Sequence, residues 1–249
     1  YNIHHGSDKA LRLAVELRKF SFVSMFINYG ANINVMNNYC FKMAVINGDT
    51  ITLNLLLSNN KLDNYGQYKL LKYSISDNNY DITELLLQYN NKFNKKNKNS
   101  NLITLAIKNN NKKILKLLID SGFDIYDNNQ YNFKKSVELG YYECVKLLIQ
   151  SGCDRHIYDE RLLIISIKNY YRQITYLLLE QIKDSSILDI ALKYAVEYTQ
   201  YDVIERLIKS DANIYTHDYY IFYIAGKNNH IEIINMICDN CDKTSELYD

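Results

Sequence analysis

The side chains that could do chemistry in this sequence are few, and their spacing argues against a metal or catalytic site. Cys238 and Cys241 have the spacing of a zinc-binding pair, and His217 and His230 lie upstream. A structural zinc site needs four converging ligands, usually from two such pairs, and the sequence has no second pair. We therefore expect no bound metal, and we expect Cys238 to pack in the last helix pair as a small apolar side chain.

The other reactive side chains do not form a catalytic set. Cys153 and His156 bring a thiol near an imidazole, but a nucleophile also needs a pocket that binds substrate. His4 and His5 are interpreted as solvated residues near the chain start, and no glycine-rich loop has the spacing that phosphate binding requires. We predict that the chain is not an enzyme and uses no cofactor or small-molecule substrate.

The balance of charged residues limits the classes of partner that this chain is expected to bind. The 249 residues carry 29 Lys and Arg against 28 Asp and Glu, so the net charge of +1 does not favour nucleic acid. The basic segment Lys92–Lys98 could contact phosphate or an acidic protein surface, although a solvated loop is the favoured interpretation. The 24 Tyr with no Pro or Trp indicate skewed codon usage before any function.

Membrane and compartment signals are weak. No run of about 18 apolar residues is present, so we predict no membrane span. Five scattered cysteines fit a reducing compartment, and we predict a cytoplasmic protein. The first residues form no signal peptide and lack an initiating Met, so we expect the chain to be part of a longer one.

The elements that must position any site repeat about every 30 residues. Each repeat is anchored on a small residue flanked by apolar ones, and we call this residue the anchor. The anchors are Ala14, Ala44, Ser74, Ala106, Ser136, Ser166, Ala195 and Ala225. A large apolar residue stands three places before each anchor, and Gly or Asn stands sixteen places after five of the eight. Because Gly and Asn best tolerate the left-handed conformation, we expect a helix to stop there.

Each repeat contains a short first helix and a longer second helix, joined to the next repeat by polar turn residues. Such a helix pair buries its apolar face only by stacking on its neighbours. We predict an all-α solenoid in one continuous array. The predicted repeats are 8–37, 38–67, 68–99, 100–129, 130–159, 160–188, 189–218 and 219–249. Between the sixth and seventh repeats the spacing is 29 and the Gly or Asn stop is missing, so we expect an altered or weak joint there.

This pattern resembles the ankyrin repeat, two helices and a protruding turn in about 33 residues. Gly-Tyr-Tyr-Glu-Cys-Val-Lys-Leu-Leu at 140–148 resembles the family's Gly-His-x-Glu-Val-Val-x-Leu-Leu, and Gly-Ala-Asn-Ile-Asn at 30–34 resembles its Gly-Ala-Asp-Val-Asn. The family's Thr-Pro-Leu-His start is absent, for example at 9–12 and 39–42, so the hydrogen bonds that it makes between repeats should be largely missing. The style and composition resemble the ankyrin arrays of giant DNA viruses of amoebae.

The resemblance implies a binding surface on the concave face of the first helices and on the finger loops between repeats. The concave face should carry the residues two and three places after each anchor. They are Glu16 and Leu17, Ile46 and Asn47, Ser76 and Asp77, Lys108 and Asn109, Glu138 and Leu139, Lys168 and Asn169, Glu197 and Tyr198, and Lys227 and Asn228. Leu17, Ile46 and Leu139 are predicted to be exposed apolar residues there. Tyrosines that we place on fingers, among them Tyr39, Tyr131 and Tyr158, are predicted to add to this surface.

The function implied by the resemblance is a protein-interaction scaffold or adaptor that binds a host or viral protein of unknown identity. Substrate adaptor of a ubiquitin ligase is a narrower role implied by large-DNA-virus relatives. The F-box-like segment of that role is not found, and the last residues, 242–249, are too few to form one. The alternative is a structural component of a viral particle or a larger complex.

Overall fold

The computed structural model describes residues 4–60, 62–89, 100–125, 127–153, 160–180, 182 and 184–245. Within these residues it consists of sixteen α-helices and no strand, which confirms the predicted all-α class. Their bounds are α1 His5–Glu16, α2 Phe20–Asn28, α3 Val35–Ile46, α4 Thr50–Asn59, α5 Asn64–Ser76, α6 Tyr80–Gln88, α7 Ser100–Lys108, α8 Lys112–Asp120, α9 Asp127–Glu138, α10 Tyr142–Gln150, α11 Glu160–Lys168, α12 Arg172–Leu179, α13 Ser185–Glu197, α14 Tyr201–Lys209, α15 Thr216–Lys227 and α16 Ile231–Ser245.

The helices form two compact units, residues 1–125 and 126–249. Within each unit the first helix of a repeat packs on its own second helix and on the first helix of the next repeat. The second helices also contact one another in turn. Each unit therefore has a first-helix layer and a second-helix layer, as the repeat pattern predicts. One continuous array across both units stays a prediction.

The anchors lie inside the first-helix layer. All eight are buried: seven have 0% exposure, and Ala14 is the most exposed at 6%. The large apolar residue three places earlier is also buried in seven repeats, while Phe222 is half-buried. A small anchor lets neighbouring helices approach closely, and the large residue fills the space between them.

Left-handed backbone ends the helices at two places in the repeat. The predicted stop sixteen places after the anchor is confirmed at Gly30, Gly122 and Gly152, and also at Asp211 with φ of 64°. It is wrong at Asn60, which is extended with φ of −153°.

The second stop was not predicted. The residue four places after every anchor has a positive φ: Arg18, Gly48, Asn78, Asn110, Gly140, Tyr170, Thr199 and Asn229. The first helix ends there, and the chain turns into the second helix.

Side-chain caps start three of the four second helices of unit 1, while α2 has none. Asp49, Asn79 and Asn111 stand five places after their anchors, and each side chain accepts a hydrogen bond from a backbone N–H in the first turn of the helix. These bonds satisfy donors that a helix N-terminus otherwise leaves without partners.

The joint between the sixth and seventh repeats is cross-linked on the second-helix layer. Arg172 Nε lies 2.6 Å from Asp202 Oδ2, and Arg206 Nη2 lies 3.1 Å from Glu180 Oε1. Ile182, at the place of the missing stop, is buried. The unusual spacing is therefore accommodated by contacts between α12 and α14.

Candidate functional site

The predicted surface positions lie at the ends of the first helices, and most are open to solvent. The residue two places after the anchor is exposed in seven repeats and half-buried at Glu197. Leu17 and Ile46 are 58% and 46% exposed. Leu139 is only half-buried rather than exposed, so the predicted apolar set is wrong at this position.

Some of the predicted positions are open to solvent, and others already have hydrogen-bond partners inside the chain. Asp77 directly follows α5 and Lys108 ends α7, and both are exposed. Glu138 accepts a hydrogen bond from Lys135 Nζ at 3.0 Å, which raises the pKa of Lys135. The Tyr198 carbonyl accepts a hydrogen bond from the Tyr170 hydroxyl at 3.1 Å.

Asn47 and Asn109 tie neighbouring repeats together. The side-chain amide of Asn47 donates to the Val15 carbonyl at 3.3 Å, and that of Asn109 donates to the Ile75 carbonyl at 2.6 Å. Gln200 donates to the equivalent carbonyl, that of Ile167. In all three cases the acceptor belongs to the last turn of the preceding first helix, where the carbonyl also accepts the backbone N–H three residues later and the side-chain amide is a second donor. These amides supply side-chain ties between repeats by residues other than the family's Thr and His.

The tyrosines predicted on fingers are mostly helical. Tyr39 lies in α3 and Tyr131 in α9, so their assignment to finger loops is wrong. The first turns of these helices are rich in Asn and Tyr, and such a composition is hard to tell from that of a loop. Tyr158 and the basic segment 92–98 lie outside the described residues.

Tyr39 belongs to a contact set that recurs in the other unit. Its hydroxyl donates to Glu16 Oε1 at 2.8 Å, and the guanidinium carbon of Arg12 lies 5.6 Å from its ring centroid. The hydrogen bond to the carboxylate, followed by burial, raises the pKa of Tyr39. Tyrosine, base and acid thus link two consecutive first helices.

The same set in unit 2 is formed by Tyr220, Lys193 and Glu197, at the same places relative to their anchors. The Tyr220 hydroxyl donates to Glu197 Oε1 at 2.9 Å, and Lys193 Nζ lies 4.5 Å from the Tyr220 ring centroid. The hydrogen bond to Glu197 is again the main cause that raises the pKa of Tyr220. Sequence reasoning named Tyr39, Glu16 and Glu197 but missed their partners Arg12 and Lys193, which lie two places before their anchors.

A continuous row of tyrosines and lysines extends this set across α11, α13 and α15. We call it the tyrosine–lysine row; it consists of Lys168, Lys193, Tyr194, Tyr220, Tyr223 and Lys227. Lys168 Nζ lies 4.6 Å from the Tyr194 centroid, and Lys193 Nζ lies between the Tyr194 and Tyr220 rings. The Tyr220 and Tyr223 centroids are 6.4 Å apart, and Lys227 Nζ lies 5.9 Å from the Tyr223 centroid.

The row combines features that suit a binding surface. Tyr223 is 62% exposed, and Lys168 and Lys227 are also exposed. Contacts between ammonium groups and ring faces hold long side chains in place, so they lose less conformational freedom when a partner binds.

Unit 1 has a cavity of about 350 Å³ beside α3 and α5. Lys42, Lys69, Tyr65 and Tyr73 line it, together with a group of asparagines at its rim. Lys42 Nζ lies 5.4 Å from the Tyr73 centroid, so the cavity repeats the chemistry of the row.

The cysteines show no arrangement for chemistry in the described part of the chain. Cys40, Cys144 and Cys153 are buried, and burial raises the pKa of Cys40 to about 12. Cys238 is exposed, so the prediction that it packs in the last helix pair is wrong. Within the described residues, no three His, Cys, Asp or Glu side chains cluster in a way that could hold a metal ion.

The family model for ankyrin repeats (three copies) matches residues 41–129 and 133–218, which is well over half of the sequence. The chain belongs to the ankyrin repeat family. Ankyrin repeats are generally protein–protein interaction modules, and the family is typically not catalytic.

A sequence relative is viral. The putative ankyrin repeat protein FPV034 of Fowlpox virus (strain NVSL) is 28% identical over 178 residues, 67% of this chain and 42% of the relative. This ankyrin chain therefore matches less than half of its relative's length. The likeness to arrays of giant viruses of amoebae stays a prediction.

A solved ankyrin repeat domain shares the fold. The ankyrin repeat domain of Bcl-3, described as a unique member of the IkappaB protein family, aligns with a TM-score of 0.57 and 19% identity, over 78% of this chain and 97% of that one. The human ASB11 ankyrin repeat domain aligns with a TM-score of 0.45 and 16% identity, over 82% of this chain and 84% of that one.

Among the helices that the structure describes, none is both long and apolar enough to cross a membrane.

Proposed function

We propose that this ankyrin protein is a scaffold or adaptor that binds a protein partner across its first-helix layer, with the tyrosine–lysine row of unit 2 as the main contact. The observation that carries the proposal is the continuity of the row, which links three consecutive first helices through six side chains. Tyrosine offers a large contact area with a polar tip, and it is enriched among the residues that dominate binding energy.

The charge of the row favours a partner segment that carries acidic side chains. Three ammonium groups lie along the row, and Glu197 is the carboxylate hydrogen-bonded to it. An ammonium group on a ring face keeps donors free for a carboxylate of the partner. A host or viral protein with an exposed acidic and apolar segment would fit this surface.

The test is capture of partners from lysate of the natural host cell on the immobilised chain, with quantitative mass spectrometry. One variant combines Tyr223→Ser with Lys227→Glu, on the first-helix layer. Its matched control combines Tyr142→Ser with Lys146→Glu on α10 in the second-helix layer, where a lysine lies 5.7 Å from a tyrosine centroid in the same i, i+4 arrangement.

We expect the recovered partner to fall about tenfold or more with the Tyr223 and Lys227 changes, because central tyrosine and charge contacts dominate interface energies. The α10 control should recover the partner at the parent level. Equal recovery by both variants would contradict the proposed location of the site. Loss in the control alone would place binding on the second-helix layer.

The finer role of substrate adaptor for a ubiquitin ligase rests on the resemblance to viral ankyrin proteins alone. It requires a ligase component among the recovered proteins, retained when the row is changed. Recovery of a partner without any ligase component would favour a scaffold role instead.

A further inference from the structure

One end of unit 1 exposes apolar side chains, and two of them, Phe22 and Phe26, stand at places that are buried in other repeats. α1 and α2 form the first helix pair, and no described helix precedes them. Leu13 on α1 is 48% exposed, and Phe22 and Met25 on α2 are 54% and 39% exposed. Val23 is the single residue of α2 that is fully buried. We call Leu13, Phe22, Met25 and Phe26 the leading face.

A comparison of Phe22 with the equivalent residues of other repeats shows that the leading face lacks a neighbouring helix pair among the described residues. Phe22 stands eight places after its anchor, and the residue at that place is at most 1% exposed in the six repeats that follow another repeat within the same unit. Those residues are Thr52, Ile82, Ile114, Ile174, Val203 and Ile233. In each of them the second helix packs on that of the preceding repeat. In these six repeats, contact with a preceding helix pair accompanies the burial of this place.

The place of Phe26 gives the same result independently. Twelve places after the anchor, the six equivalent residues are Leu or Ile and at most 4% exposed. They are Leu56, Leu86, Leu118, Leu178, Leu207 and Ile237. Phe26 is only half-buried, and its ring stacks on that of Phe22 with centroids 6.4 Å apart.

The composition of α2 is that of an internal helix rather than of an end. Its sequence, Phe-Ser-Phe-Val-Ser-Met-Phe-Ile-Asn, contains no charged residue. The first and last repeats of a solenoid normally present a polar outer face to water, because an apolar one promotes association. The leading face has bulky aromatic residues at the places that internal repeats use for stacking.

We infer that the leading face is a docking surface for a further ankyrin-type helix pair, stacked on α1 and α2 in the register of the array. The occupant follows from continuity with the repeat interfaces already present in unit 1, since the same places form both. The occupant presents the apolar trailing side of a first and second helix to Leu13, Phe22 and Phe26.

A graft tests this directly. A copy of residues 31–60 placed immediately before residue 1 puts a second Ala44-type anchor 30 residues before Ala14, which keeps the spacing of the neighbouring repeats. In the new first repeat, the copy of Thr52 takes the place that Phe22 has in the present first repeat. The exposed end of the grafted chain is therefore more polar than that of the parent. We expect a higher urea midpoint than the parent chain and a loss of most of the fluorescence of a dye that binds exposed apolar surface.

A double-mutant comparison separates docking from a general effect of added chain. Phe22→Ser with Phe26→Ser should remove most of the stability gained from the graft, while changing the ungrafted chain less. Ile51→Ser in the original repeat changes another exposed apolar residue, 65% exposed on α4, and should leave the gain unchanged.

Sedimentation of the ungrafted chain tests the alternative that the leading face binds a second copy of the chain. A monomer at all concentrations agrees with the inference. A concentration-dependent dimer that Phe22→Ser abolishes would overturn it in favour of self-association. A graft that leaves both the urea midpoint and the dye fluorescence unchanged would also overturn it.

Discussion

At the residue scale, buried hydroxyl groups distinguish repeats that otherwise look alike. Thr83 Oγ1 donates to Ser74 Oγ at 2.9 Å, and Thr175 Oγ1 donates to Ser166 Oγ at the same distance. Both pairs join the anchor to the residue nine places later. All three serine anchors, Ser74, Ser136 and Ser166, donate to the carbonyl three residues earlier, and a threonine on the second helix adds a second partner for Ser74 and Ser166.

Thr52 is the exception, and it gives the first prediction at this scale. Its hydroxyl is fully buried and has no hydrogen-bond partner in the part of the chain that the structure describes. The equivalent residue in the other seven repeats is apolar. Thr52→Val should raise the free energy of unfolding by about 1 kcal/mol, because it removes a buried polar group without a partner. Urea unfolding followed by circular dichroism measures the change.

The matched control is Thr83→Val, which changes a hydroxyl that does have partners. It should lower the free energy of unfolding by about 1 kcal/mol, since it deletes the hydrogen bond to Ser74. Two changes of the same sign would show that hydrogen bonding does not decide the effect.

At the element scale, the turn between the two helices of each repeat depends on left-handed residues that are rarely glycine. Among the eight equivalent positions two are glycines, Gly48 and Gly140, and three are asparagines, which tolerate this conformation better than other side chains. Thr199 is the most strained of the eight, because a β-branched side chain fits a φ of 57° poorly.

Thr199→Gly should therefore raise the free energy of unfolding by about 1 kcal/mol, as the steric cost of the left-handed conformation exceeds the added flexibility of glycine in the unfolded chain. Asn229→Gly at the equivalent place should gain less, because Asn tolerates this conformation. Thermal and urea unfolding of both variants provide the comparison. A loss of stability at Thr199, or a larger gain at Asn229, would contradict the argument.

These elements also show how far the sequence predicts the fold. The anchors, the apolar residues before them and the glycine stops were readable because small, large and flexible residues recur at fixed spacing. The stop four places after the anchor carried a comparable signal that was not used, since five of its eight residues are Gly or Asn, but Arg18, Tyr170 and Thr199 have no preference for it. Tertiary packing of both helices imposes that conformation on whatever residue is present.

The candidate site was predictable only in part for a related reason. The places after the anchor identified Lys168 and Lys227, which belong to the row. Lys193, Tyr220 and Tyr223 lie before their anchors, and the resemblance to the family gave no reason to choose them. A signal did exist: Lys193 with Glu197 and Tyr223 with Lys227 are spaced by four, which places each pair on one helix face.

At the scale of the whole molecule, tyrosines that donate to carboxylates link repeats in both units, and they make stability depend on pH. The hydrogen bonds to Glu16 and Glu197 raise the pKa of Tyr39 and Tyr220. Burial, followed by the hydrogen bond to Asp202, raises the pKa of Tyr176. Each hydroxyl therefore holds its proton more tightly in the folded chain than in the unfolded chain, where the pKa is about 10.

The sign of the effect follows from proton linkage. Around and above pH 10 the folded state binds more protons than the unfolded state, so the free energy of unfolding falls as pH rises. Below pH 10 both states are protonated and the stabilisation is fully present. We expect the urea midpoint to decline from about pH 10 upward, as the phenols ionise.

The variant Tyr39→Phe with Tyr220→Phe tests whether these two sites contribute, because lysines also titrate in this range. At pH 7 it should be less stable than the parent, since two hydrogen bonds to carboxylates are lost. Its decline above pH 10 should be shallower, so the two stability curves should converge as pH rises. Parallel curves would mean that ionisation of Tyr39 and Tyr220 is not coupled to unfolding, and that the ties between first helices do not depend on these protons.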